Sequence, residues 1–93
     1  ESTLSDGTAG GIEKEAITFE LCQQLVDYFE LVSEAKIIES VQTFIDTHRM
    51  LIEGAAGVAL AGLLAQKERY IGKKVVTVIC GGNISRQTLK VII

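Results

Sequence analysis

The sequence predicts an α/β fold, and three observations carry that prediction. Apolar residues recur at helical spacing in two stretches, around residues 19–29 and 37–48. A near-continuous apolar run, Val75, Val76, Val78 and Ile79, has the pattern of a central strand buried on both faces. Glycines and capping residues separate these stretches, so that helix-like and strand-like patterns alternate along the chain.

Residues 1–13 set Gly7, Gly10 and Gly11 among Ser, Thr and Asp, which reads as an irregular loop. Thr18 is placed to cap a first helix whose face is Phe19, Cys22, Leu25, Val26 and Phe29, ending near Tyr28 or Phe29. "FELVS" follows as a short strand. Ser33 caps the next helix, and Glu34 in its first turn suits the positive end of the helix dipole. Ile37, Ile38, Val41, Phe44, Ile45 and His48 share one face of that helix, opposite Glu39, Gln42, Asp46 and Arg49. Residues 55–69 read as a third helix, apolar almost all round as far as Ala65 and therefore buried inside something. The valine-rich strand comes next, "GGN" stops it, and Ser85 caps a last helix from Arg86 onward. Two strands alone make a poor sheet.

The chain has 93 residues, enough for one small domain or a piece of a larger one. It is 47% hydrophobic and 23% charged, with a mean hydropathy of +0.31. Such richness in so small a chain suggests a fragment or an oligomer. Nine Lys and Arg against twelve Asp and Glu give a net charge of -3 with no basic stripe, which argues against nucleic-acid binding. No uncharged apolar segment reaches membrane-spanning length and the start is polar, so neither a transmembrane span nor a signal peptide is expected. Cys22 and Cys80 stand far apart without neighbouring ligands, against a zinc site or a disulfide framework and in favour of a reducing cytoplasm. There is no proline, so the turns depend on nine glycines.

Three stretches are candidates for chemistry. In "VVTVICGGNIS" a buried strand runs into Gly81 and Gly82, as where open α/β sheets bind ligands, with Cys80 set toward the ligand. A plain tight turn with an inert cysteine has the same pattern, and the spacing matches neither G-x-G-x-x-G nor a P-loop. "SDGTAGG" is either a nest of backbone N–H groups for an anion or a flexible loop. Glu53 is either a first-turn acid favoured by the helix dipole or a site carboxylate. Cys22 reads as core. His48, the only histidine, has no acidic or hydroxyl partner at a telling spacing and reads as structural.

Taken in order, "TLSDGTAGG", "TFELCQQLVDYFELVSEAKI", "LIEGAAGVALAGLL" and "GKKVVTVICGGNIS" resemble the carboxyl-terminal part of fold type II pyridoxal 5'-phosphate (PLP) enzymes. The resemblance is to the serine/threonine dehydratases (threonine ammonia-lyases), a group that includes serine racemases, and it covers Thr3 to about Leu89. It implies that the chain is the carboxyl-terminal part of the large PLP-binding domain, with helices around two or so strands of a larger sheet. It further implies that Cys80 lies against the pyridine nitrogen of the cofactor, with Gly81, Gly82 and Asn83 in the same turn. A neutral group there leaves that nitrogen largely unprotonated, which suits β-elimination. Glu53 and Gly54 match the family's Glu-Gly motif near the pocket, and Asp6 and Gly7 match its Asp-Gly loop.

Two family motifs are missing from these residues. The Schiff-base lysine sits in the family's S-x-K-x-R-G-A motif, and a glycine-rich loop holds the phosphate. Neither occurs here, and Lys14, Lys36, Lys67, Lys73, Lys74 and Lys90 all fall in polar or terminal contexts. The chain is therefore expected to hold no catalytic residue and no metal site, and to be inactive alone. The complete enzyme would convert L-threonine or L-serine to a 2-oxo acid and ammonia, as a homo-oligomer without nucleic-acid or membrane partners. The end at Ile93 resembles the short catabolic type. Two alternatives stand beside this reading: a serine racemase-like isomerase, and a small non-enzymatic α/β module that self-associates through apolar faces.

Overall fold

The computed structural model describes residues 2–93. Four α-helices follow one another: α1 (Ile17–Leu25), α2 (Glu34–His48), α3 (Gly54–Ala65) and α4 (Arg86–Ile92). Two short 3₁₀ turns, Asp6–Thr8 and Lys67–Tyr70, complete the regular structure. There is no strand among the described residues, so the predicted α/β class, with helices around two or so strands, is corrected to an all-helical arrangement.

The reason lies in what a strand needs. An apolar run marks a segment suited to burial, but a strand exists only through hydrogen bonds to a neighbouring strand. Residues 74–80 make no such bonds, and Val76 and Val78 are 91% and 68% exposed. Phe29 and Leu31, in the predicted short strand, are likewise exposed.

The core forms where α2 crosses α3. Ile37, Val41, Ile52, Ala56 and Ile92 make one buried cluster, with Ile38, Phe44 and Ile45 packed at its edge. A side chain at Gly57 would come within 2.6 Å of Val41 Cγ2, so this glycine lets the two helices approach closely. Both predicted serine caps are in place. Ser33 Oγ accepts from the Lys36 amide at 3.3 Å, and Ser85 Oγ accepts from the Thr88 amide at 3.0 Å. The Gln42 side-chain amide donates to the Ile92 carbonyl and fastens α4 to α2. His48 is exposed and stacks on Phe44 with ring centroids 4.5 Å apart, which fits a structural role.

α1 differs from its prediction. Its N-cap is Ala16 and it ends at Leu25, earlier than the apolar spacing suggests. No residue of α1 is buried, Ile17 and Leu25 are largely exposed, and Cys22 is half-buried at the edge of a shallow apolar groove with Phe19 and Phe29, outside the core. No helix among the described residues is long and apolar enough to cross a membrane.

The amino-terminal segment is tied to the start of α2. Thr3 Oγ1 donates to Glu34 Oε1, and the Leu4 amide donates to Glu34 Oε2 at 2.9 Å. The Thr3 hydrogen bond, and after it that of Leu4, holds the Glu34 carboxyl below its ordinary value of 4.5. The unfolded chain therefore binds the extra proton first as the pH falls. The stability from this tie is present above pH 4.5 and is lost as the pH drops through the lower folded value. Urea midpoints of Glu34→Gln should accordingly depend less on pH below this point than those of the parent protein. An unchanged pH slope would contradict the assignment.

Candidate functional site

The site is built around the first residue before α3. Glu53 has extended backbone (φ -81, ψ 166), and its carbonyl accepts the Ala56 and Gly57 amides, both at 3.1 Å, starting the helix. Its side chain makes no hydrogen bond to its own helix end. It reaches instead to the turn at residues 81–83, which the chain brings alongside. The Glu53 amide donates to the Gly81 carbonyl at 3.0 Å, and the Asn83 amide donates to Glu53 Oε2 at 3.2 Å.

The turn fits this contact because Gly81 and Gly82 carry no side chain. A Cβ on Gly81 would lie 2.6 Å from Glu53 Oε2 and 3.1 Å from Oε1. A Cβ on Gly82 would lie 3.1 Å from the Leu51 carbonyl oxygen. Both glycines thus leave room for the segment just before α3, a role that sequence spacing alone does not reveal. The Ile84 amide then bonds to the Gly82 carbonyl at 2.9 Å and turns the chain into α4.

The "SDGT" segment approaches from the other side. Leu4 and Ser5 cross the helix start at Gly54, where a Cβ would fall 1.9 Å from the Leu4 carbonyl oxygen. Ser5 is buried, but its hydroxyl is within 2.7 Å of Thr8 Oγ1, and Thr8 Oγ1 donates to the Ser5 carbonyl at 2.9 Å. These bonds close the 3₁₀ turn and set Gly7 against Ala55, at an ordinary 3.4 Å for an added Cβ. Gly7 therefore meets no steric requirement here.

A cleft of about 260 Å³ opens between these segments, with Asp6, Glu53, Asn83, Ser85 and Thr88 on its polar side. The predicted residues Glu53, Gly81, Gly82 and Asn83 are thus brought together, while Gly7 lies against Ala55 and does not line the cleft. Cys80 is exposed, one residue before the turn, and does not line the cleft. Leu4, Ser5 and Thr88 escaped the sequence reading. The Ser5–Thr8 pairing, hydroxyls flanking Asp-Gly, was the one available signal of a closed turn.

Comparison with known proteins decides the family. Residues 1–81 match the family described as pyridoxal-phosphate dependent enzyme. The chain belongs to that family. It is 36% identical over 92 residues to the L-threonine ammonia-lyase of Geobacter sulfurreducens, covering 98% of this chain and 22% of that protein. It is 41% identical over 70 residues to the catabolic L-threonine dehydratase of Escherichia coli, covering 73% of this chain and 21% of that protein. To the L-threonine ammonia-lyase of Thermotoga maritima it is 39% identical over 83 residues, 88% of this chain and 20% of that protein. The chain thus spans about a fifth of these relatives. No solved structure matches.

Membership in a PLP family raises the question of which part of the cofactor these residues suit. The cleft presents two carboxylates, an amide and two hydroxyls, and neither Lys nor Arg lines it. Such a lining fits the edge of a neutral ring or the ammonium group of an amino acid. It does not fit a phosphate, whose charge would face Asp6 and Glu53 unscreened. The lining therefore suits a neutral or cationic group rather than the cofactor's phosphate.

Proposed function

We propose that this chain is the carboxyl-terminal part of the catalytic domain of a PLP-dependent threonine dehydratase, acting on L-threonine or L-serine to give a 2-oxo acid and ammonia. The observation that carries this reading is the meeting of Glu53 with the Gly81–Asn83 turn across 30 residues of chain, at a cleft that Asp6 also borders. When bound, PLP supplies the electron sink for the elimination. Cys80 would set its thiol beside the ring nitrogen, Glu53 and Asn83 would fix the turn that follows it, and Asp6 would add negative charge where an amino-acid ammonium enters. The remainder of the domain provides the lysine and the phosphate loop.

The same reading accounts for the exposed apolar residues. Val76, Leu31 and Ile17 are 91%, 100% and 87% exposed, and they belong against the rest of the domain or a second subunit of a homo-oligomer. A self-associating non-enzymatic module would also cover them, but the family match favours the enzyme. A cytoplasmic location follows from the expected metabolic role.

The test uses the complete enzyme that contains this segment, loaded with PLP and supplied with L-threonine and, separately, L-serine. The expected result is release of 2-oxo acid and ammonia in equal amounts. A cofactor-loaded enzyme that releases neither, or that only interconverts serine enantiomers, would overturn the dehydratase reading.

A further inference from the structure

We propose that Glu53 is a positioning residue that clamps the Gly81–Asn83 turn just after Cys80, and that Gly81 is glycine because the Glu53 carboxylate occupies the place of its side chain. The inference rests on the reading that this turn borders the cofactor, and it assigns Glu53 a task other than acid, base or substrate ligand.

Among the described residues, the chain just before the turn has no hydrogen-bond anchor of its own. Residues 74–80 make no hydrogen bond to any described residue, the previous one being the Lys73 amide to the Tyr70 carbonyl. The first attachment after that stretch is the Glu53 amide on the Gly81 carbonyl, and the second is the Glu53 carboxylate on the Asn83 amide. The two bonds bracket Gly82 and come from one residue, whose own backbone is held by the α3 start and by buried Ile52 beside it. Both carboxylate oxygens lie within 3.1 Å of the position a Gly81 Cβ would take, so the side chain is folded over the turn. The Asn83 amide takes up Oε2, the carboxylate oxygen nearest the position of a Gly81 Cβ. The placement of Cys80 thus depends on a carboxylate used as a hydrogen-bond acceptor.

Three variants of the complete enzyme test this: Glu53→Ala, Glu53→Gln and Gly81→Ala. The readouts are amide hydrogen exchange of the peptide spanning Cys80–Ile84, the visible absorption of bound PLP, and kcat separately from KM. Glu53→Ala should speed exchange of this peptide about five- to tenfold, as expected for loss of one partly exposed charge-assisted hydrogen bond. Glu53→Gln retains an acceptor oxygen and should recover most of the protection and more of kcat than Glu53→Ala. Gly81→Ala pushes the carboxylate off the turn and should speed exchange as Glu53→Ala does. Combining the two should add little, because both remove the same contact. Unchanged exchange in Glu53→Ala, or kcat lost equally in Glu53→Ala and Glu53→Gln, would overturn the positioning role. An unmodified enzyme that binds no PLP would instead overturn the functional reading, while the exchange data would still decide the clamp.

Discussion

Replacing Gly54 by alanine is expected to destabilise the protein by about 3 kcal/mol or more, the upper part of the range for forced overpacking. The glycine is required by closeness of approach. An added Cβ would lie 1.9 Å from the Leu4 carbonyl oxygen, 2.6 Å from the Leu4 carbonyl carbon and 2.9 Å from Ser5 Cα. All three are backbone atoms, so no rotamer change relieves the overlap. The segment that crosses there carries the buried Ser5 and the closed Asp6–Thr8 turn, and moving it draws Asp6 away from the cleft. Gly57 and Gly62 provide a graded comparison within the same helix. At Gly57 the obstacle is a side-chain methyl of Val41, which can yield in part, and at Gly62 nothing lies within 4 Å. Urea unfolding should therefore rank Gly54→Ala as the most damaging and Gly57→Ala as intermediate. Gly62→Ala should be neutral or stabilising by up to about 1 kcal/mol, the helix-propensity difference between the two residues. A Gly54→Ala protein with the parent's midpoint would show that Leu4 does not cross α3 at this point.

The parts of the fold that were legible in the sequence are those decided within a few residues. Ser33 and Ser85 cap helices because a short hydroxyl side chain reaches an amide three residues on, and that needs no distant partner. The face of α2 follows from its period, and Ile37 and Val41 are its fully buried members. The two predicted strands do not form among the described residues. Val75 to Ile79 has the composition of a buried strand but makes no ladder hydrogen bond, and composition alone does not build a strand. The first helix is also shorter than its pattern, since its apolar spacing continues to Phe29 while the helix ends at Leu25, its last turn closed by the Val26 amide on the Cys22 carbonyl. At the site, the helix start at Glu53 was local and readable. Its attachment to Asn83, and the need for glycine at 54 and 81, arise from contacts between distant segments and leave no periodic trace.

The second large effect is expected at Cys80, and it bears on the central claim that this turn forms one wall of a PLP site. The resemblance to the dehydratases sets Cys80 beside the pyridine nitrogen, and the Glu53 clamp fixes the turn that carries it. Cys80→Asp would put a carboxylate at that position. An adjacent negative charge favours the protonated nitrogen, and each pKa unit gained represents about 1.4 kcal/mol between the two forms. The elimination should then slow by about tenfold or more, the rate equivalent of one such unit. Cys80→Ser, neutral and of similar size, controls for loss of the thiol alone. The measurement is the visible spectrum of the PLP-loaded complete enzyme from acid to alkaline pH, recorded with its turnover of L-threonine. A shifted pH-dependent spectrum together with slowed 2-oxo acid release in Cys80→Asp, both absent in Cys80→Ser, is the predicted result. A Cys80→Asp enzyme with the parent's spectrum and turnover would contradict the placement of this turn against the cofactor.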